Sequence, residues 1–283
     1  MKLKKILSVI AAGVFAGALF TGCGGGDTGD SSAKDGKFLK LGMISTLNAS
    51  EKKVDEILKM VEQKSNVEVM HHTTTFYKDL STMQMGLESG SVDEISTYQC
   101  VVKYLLARNP KLELVENHGM SLSDSFCFAM RQDEVALKKN IDNAIKEMKK
   151  DGTLEKLVKE YITDVKENDP PAVAIPHIEG ADPLKVAVTG DLPPLDLILA
   201  DGKPAGFNTA FLAELGKRLD RNIEIIDIDG DARFSALTSK QADVIFWAIV
   251  PVDDRPKDLD TPNGSILSEP YFTDKIEHIK LKK

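Results

Sequence analysis

The sequence is poor in cysteine, in positive charge and in long apolar runs, and each scarcity removes a class of protein. Three cysteines in 283 residues, none spaced as Cys-x-x-Cys, supply neither a zinc site nor a disulfide scaffold. Lys and Arg number 36 against 44 Asp and Glu, for a formal charge of −8. With no basic cluster beyond the N-terminal Lys2, Lys4 and Lys5, no nucleic-acid partner is expected. The single stretch apolar enough for a bilayer lies at the N-terminus, which argues against a polytopic membrane protein. Catalytic signatures are missing too: no Gly-x-Ser-x-Gly, no His-Glu-x-x-His, no phosphate-binding glycine loop and no defensible pair of catalytic carboxylates. No enzyme activity, resident cofactor or metal is therefore expected. His71 and His72 fall on a β-branched run that reads as a strand, where neighbours face opposite sides and cannot share a metal.

What is present begins with an export pattern. Lys2, Lys4 and Lys5 precede an apolar, Ala-rich segment from Ile6 to Phe20, and Thr21-Gly22-Cys23 supplies small residues ending in cysteine. This resembles a bacterial lipoprotein signal, with Phe20 where leucine is usual. The expectation is a signal over 1–22, acylation of Cys23, and a Gly-rich tether over 23–37. The chain would be exported and held by its lipid at the outer face of the cell membrane or in the periplasm. Cys100 and Cys127 remain, either as two small buried hydrophobes or as a bridge formed outside the cytoplasm.

From Phe38 the pattern alternates strands with helices. Leu39, Leu41 and Met43 alternate with polar or small residues, and Asn48 with Glu51 forms a capping box for a helix carrying Val54, Ile57, Leu58 and Val61 on one face. Strands over 67–72 and 92–96 flank a helix with Leu80, Met83 and Leu87. A short apolar run over 126–130 precedes a helix with Leu137, Ile141, Ile145 and Met148, and then a final helix capped by Thr153. Residues 167–182, with Pro170, Pro171 and Pro176, read as an extended linker. A second βαβαβ unit follows, with strands over 184–188, 223–228 and 243–250 and a helix from Asn208. The expectation is an α/β protein of two lobes, each a mostly parallel sheet flanked by helices.

Several motifs of the second unit are more specific. Leu184-Lys185-Val186-Ala187-Val188, Pro193-Pro194, Asp201-Gly202-Lys203, Gly206-Phe207-Asn208, Ala242-Asp243-Val244-Ile245, Asp254-Arg255 and Ser268-Glu269-Pro270-Tyr271-Phe272 resemble the opening lobe of bacterial extracellular solute-binding proteins of family 3. These are the polar amino-acid receptors of ABC importers. The first unit resembles that family's other lobe and C-terminal helices, through Leu87 to Asp93 and Lys150 to Leu157. The resemblance implies a two-lobed periplasmic-binding-protein-like fold of type II, joined by crossover strands at a hinge. Its order is inverted: 38–166 resembles the second lobe plus the terminal helices, and 183–283 the first lobe. Either the chain is a circular permutant, or two incomplete copies complete each other across a dimer.

The resemblance also assigns roles. Arg255 takes the position that holds a solute carboxylate, for which a planar guanidinium is suited. Val250 and Val252 stand where the family has hydroxyl residues, and Tyr98 where it has the aspartate that meets an ammonium. Asp191 or Asp196, near the Pro-Pro loop, could replace that charge. Trp247 is either a pocket wall or a core residue, and Ser45 and Thr46 precede a helix N-terminus that attracts carboxylates. Leu192 and Ala248 complete the expected ligand-binding set. The implied function is an importer's solute receptor, taking an amino acid or small carboxylate and docking on an ABC permease. A sensor or accessory lipoprotein with a diverged cleft, or less readily a dehydratase-like enzyme on the same fold, is the alternative.

Overall fold

Alternation of apolar side chains over Leu39–Ile44 produces the central strand, β1, of a first sheet. The protein is described by a computed structural model over residues 39–45, 50–64, 72–115, 122–165 and 170–283, all within one unit, Gly36–Lys283. The signal, Cys23, the tether, Thr46, His71 and the Asn48 cap lie outside the described residues.

Strand β1 pairs in parallel with β2 (His72–Tyr77) on one side and β3 (Glu94–Tyr98) on the other. Helices α1 (Glu51–Lys64) and α2 (Leu80–Glu88) connect them, and α3 (Gln99–Arg108) leads to the short β4 (Leu112–Leu114). Of the strand expected over 67–72, only His72 is among the described residues, and there it belongs to β2. Its exit is fixed by Asp79, whose carboxylate accepts the Thr82 amide at 2.7 Å and caps α2.

The second sheet holds β6 (Pro183–Val188) between β10 (Asn222–Asp227) and β11 (Val244–Pro251), all parallel. Antiparallel to β11 runs β5 (Ser123–Arg131), which also pairs with β12 (Ser265–Leu267) and with the start of β13 (Phe272–Leu281). Helices α4 (Val135–Lys150) and α5 (Thr153–Val158) pack on α6 (Gly206–Leu219), and α7 (Arg233–Thr238) covers β11. A small sheet of β7 (Asp191–Leu192), β8 (Asp196–Ile198) and β9 (Pro204–Ala205) carries the Pro-Pro loop. The cap of α5 differs from expectation: Gly152, at φ 81°, precedes Thr153, and the Thr153 amide donates to the Asp151 carboxylate at 3.0 Å. Glycine is required there by the left-handed backbone.

The core of this half is aromatic. Phe128 stands against Phe246 and Tyr271 at ring-centroid distances of 4.8 and 5.1 Å, with Phe211 against Tyr271 at 5.0 Å. Cys100 and Cys127 are both free and buried. Burial pushes the Cys127 thiol up to about 12, with the charge of Asp142 adding to it.

The two sheets are joined at β13. Its first half lies beside Ser123–Phe126 of β5, and from Ile276 onward it lies beside β3 and β4. Strand β13 therefore crosses between the lobes, whereas β5 pairs only within the second sheet. The 38–166 segment is divided by this arrangement: residues 39–115 build the first lobe, whereas β5, α4 and α5 join the lobe made by 183–275. The Pro-rich segment 170–182 thus connects two elements of one lobe. It is held by Asn222, whose side chain accepts the Ile178 amide at 2.8 Å and donates to the Ala181 carbonyl at 2.8 Å.

Candidate functional site

Where β1, β3 and α1 of the first lobe meet β11 and its following loop, the protein forms a cavity of about 80 Å³. Most of its wall is apolar. The face of α1 that the sequence marks as core, Val54, Ile57 and Leu58, closes onto this space and touches Leu259 of the other lobe. Met43, Ile249 and Ile276 extend the apolar lining, and Ser45, Ser96, Thr97, Tyr98, Asp124, Arg255 and Asp260 bring polar groups to it.

Arg255 is 6 % exposed and already occupied. Its Nε donates to Asp253 Oδ1 at 2.8 Å, and its Nη2 donates to Asp253 Oδ2 and Asp124 Oδ1, both at 2.7 Å, and to the Ser123 carbonyl at 3.1 Å. The local sequence explains this. Pro251 faces Asp124 across the β11–β5 ladder, and the tight turn that follows folds Arg255 back over that carboxylate. Tyr98 donates its hydroxyl to Asp124 Oδ2 at 3.3 Å. Burial raises Asp124, and the Arg255 guanidinium only partly opposes it. Burial also acts upward on the more exposed Asp253, but there the hydrogen bonds and charge of Arg255 prevail and bring it to about 2.

A depressed carboxylate stabilises the folded state above its unfolded value, 3.8, and that contribution is lost as pH falls towards about 2. Asp253→Asn should therefore flatten the fall in urea midpoint across that pH interval. A slope equal to the wild type's would show that Asp253 does not carry it.

Trp247, the only tryptophan, occupies a bulge of β11 between Ile245 and Ala248 and has φ 51°. A bulge re-aims a side chain, and a bulky residue at positive φ is held there only by its surroundings. The surroundings are Arg233, fully buried, which donates Nη1 to the Trp247 carbonyl at 3.0 Å and Nε to the Gly230 carbonyl at 3.0 Å. The Arg233 guanidinium lies 4.3 Å from the indole centroid. Two lining residues keep a buried polar atom with no hydrogen-bond partner: Trp247 at Nε1 and Thr97 at Oγ1.

Of the residues proposed from sequence, Arg255, Trp247, Tyr98 and Ser45 line the cavity. Asp191 lies elsewhere: its carboxylate accepts the Ser81 amide and hydroxyl, each at 3.0 Å, and so ties the Pro-Pro region to the N-terminus of α2 across the lobes. Leu192, Ala248 and Val250 are not among the lining residues, and Val252 is an exposed valine. Asp196 is buried as a structural acceptor for Thr189 and Gly190. Sequence reading missed Asp124, Asp260 and Arg233. Asp124 was visible as an acid opening an apolar strand; Asp260, whose Oδ2 accepts the Ile249 amide at 2.9 Å, left no local signal.

Residues 184–280, from β6 to the end of β13, match the family model described as bacterial extracellular solute-binding proteins, family 3. The motifs read from the second unit fall on the same residues, and the architecture is mixed α/β, as a periplasmic-binding-protein-like fold requires. A search of curated sequences returned no match. Among solved structures, the chain is similar to the GluR0 ligand-binding core in complex with L-glutamate, at 9 % identity over 88 % of this chain and 86 % of that one, TM-score 0.41. It is similar to the methionine-binding protein MetQ at 10 % identity over 88 % and 84 %, TM-score 0.42, and to the oxidised form of OxyR at 10 % over 86 % and 86 %, TM-score 0.41.

Proposed function

We propose that this protein is an exported solute receptor that closes its lobes over a small, amino-acid-like solute and presents the closed form to an ABC importer. The observation that carries the reading is the cavity walled by both lobes next to the β13 crossing, with an apolar lining and a few polar side chains. Concave, mostly apolar sites with a few convergent polar groups are where small ligands bind. Tyr98, Trp247 and Ser45 are the side chains proposed to touch the solute. The family match supports an extracellular setting, and Cys23 is proposed as the acylated anchor. The lobe order is read as a circular permutation, because 123–165 and 183–275 share one sheet and 170–182 links them.

A ligand at 100 times its Kd adds about 2.7 kcal/mol to stability, so a panel of amino acids, amines and carboxylates should contain a compound that raises Tm by roughly 5–10 °C at this size. A well-folded protein that no compound in the panel stabilises would point instead to an accessory lipoprotein with a diverged cleft.

A further inference from the structure

The lobes also touch each other away from the cavity, at the N-terminus of α2, which meets two carboxylates. Asp79 caps the helix from within its own lobe and takes the Thr82 amide at 2.7 Å. Asp191 reaches the same helix end from β7 of the other lobe, its Oδ2 accepting the Ser81 amide and its Oδ1 the Ser81 hydroxyl, each at 3.0 Å. Ser81 and Thr82 are the second and third residues of α2, so their amides are two of the donors that a helix cannot satisfy internally. Neighbouring donors of one helix end are thus satisfied by different lobes. Losing a cap commonly shifts an equilibrium by about two- to thirtyfold.

Beside this bridge the two backbones come close. The Lys78 carbonyl, one residue before the Asp79 cap, lies against Gly230, in the loop that follows β10 of the other lobe. A Cβ on Gly230 would stand 2.8 Å from that oxygen. No Cβ fits there unless the backbones separate, so glycine is what permits the approach. Lys78 Nζ also lies 3.4 Å from Asp229 Oδ1, an exposed pair of little weight by itself.

Resting on the receptor reading above, we infer that Asp191 is a positioning residue. With Ser81, Lys78 and Gly230 it forms a latch that holds the lobes closed through groups of the protein alone, so closure does not depend on contacts with the solute. Asp191, which the sequence offers as a partner for an ammonium, instead sets the balance between open and closed protein. Apparent affinity falls with the fraction of protein in the binding-competent state, so the latch tightens the binding of every solute alike and selects none.

Amide hydrogen exchange read residue by residue by NMR tests this with no solute added, and its failure would leave the receptor reading standing. Gly230→Ala leaves Asp191 and Ser81 in place and wedges the lobes apart. It should speed exchange of the Ser81 amide by about fivefold or more, while the Thr82 amide, held by Asp79, stays within about twofold of wild type. Asp191→Ala should open the protein by the other route: its radius of gyration in small-angle scattering should exceed the wild type's, with far-UV circular dichroism unchanged. Equal acceleration at Ser81 and Thr82 would mean that α2 frays instead of the lobes parting, and would overturn the latch. Wild-type exchange at Ser81 in Gly230→Ala would overturn it too, as would an unchanged radius in Asp191→Ala should the glycine variant fail to fold.

Discussion

Replacing Arg255 with alanine should destabilise the protein by about 3–5 kcal/mol, because it leaves Asp124 buried without its cation. At this chain length that is a fall in Tm of roughly 6–20 °C. The side chains of Arg255 and Asp124 are 6 % and 2 % exposed, so solvent screening offers little relief. The loss also orphans the Ser123 carbonyl and the Asp124 oxygen that Nη2 now satisfies. A variant that replaces both partners by apolar residues of similar volume, Arg255→Met with Asp124→Leu, should recover most of the loss. Thermal unfolding followed by circular dichroism decides it. A fall of less than about 1 kcal/mol for Arg255→Ala, the range of a surface pair, would mean that the ion pair is not formed as described.

Arg233→Ala should cost a similar amount for a different reason. The guanidinium is fully buried, and its removal deprives the Trp247 and Gly230 carbonyls of donors and takes the charge away from Asp196 and Asp260. It also uncovers one face of the indole, which at φ 51° depends on its neighbours for its position. The expected loss is about 3–5 kcal/mol, accompanied by a red shift of tryptophan emission as water reaches the ring. Arg233→Met restores the packing volume and not the hydrogen bonds, so it should lie between wild type and alanine. Unchanged emission in both variants would contradict the role given to Arg233.

The lobes were legible because their elements are locally consistent. Alternation at 39–43 and 184–188 and helical spacing at Leu137, Ile141, Ile145 and Met148 all produce the elements they suggest. The expected 67–72 strand lies outside the described residues except for His72; β2 runs on through Tyr77 because β-branched residues continue through Thr75, and the Asp79 cap sets where it ends. The site was less legible. Trp247, Tyr98 and Arg255 were identified by motif, yet the motif could not show that Arg255 is taken up by Asp124, a contact spanning 131 residues. Asp191 was misassigned because its partner, Ser81, lies on the other lobe. The α1 face was read as core for a sound reason: apolar spacing is the same whether a helix buries its face in a lobe or closes it over a cavity.

Trp247 lies in the wall of the cavity and is the only tryptophan in the chain, so its emission reports on that site alone. Titrating intrinsic fluorescence with any compound that stabilises the protein should give a saturable change whose midpoint matches the calorimetric Kd. A compound that binds and stabilises the protein while leaving Trp247 emission untouched would place the solute outside the interlobe cavity.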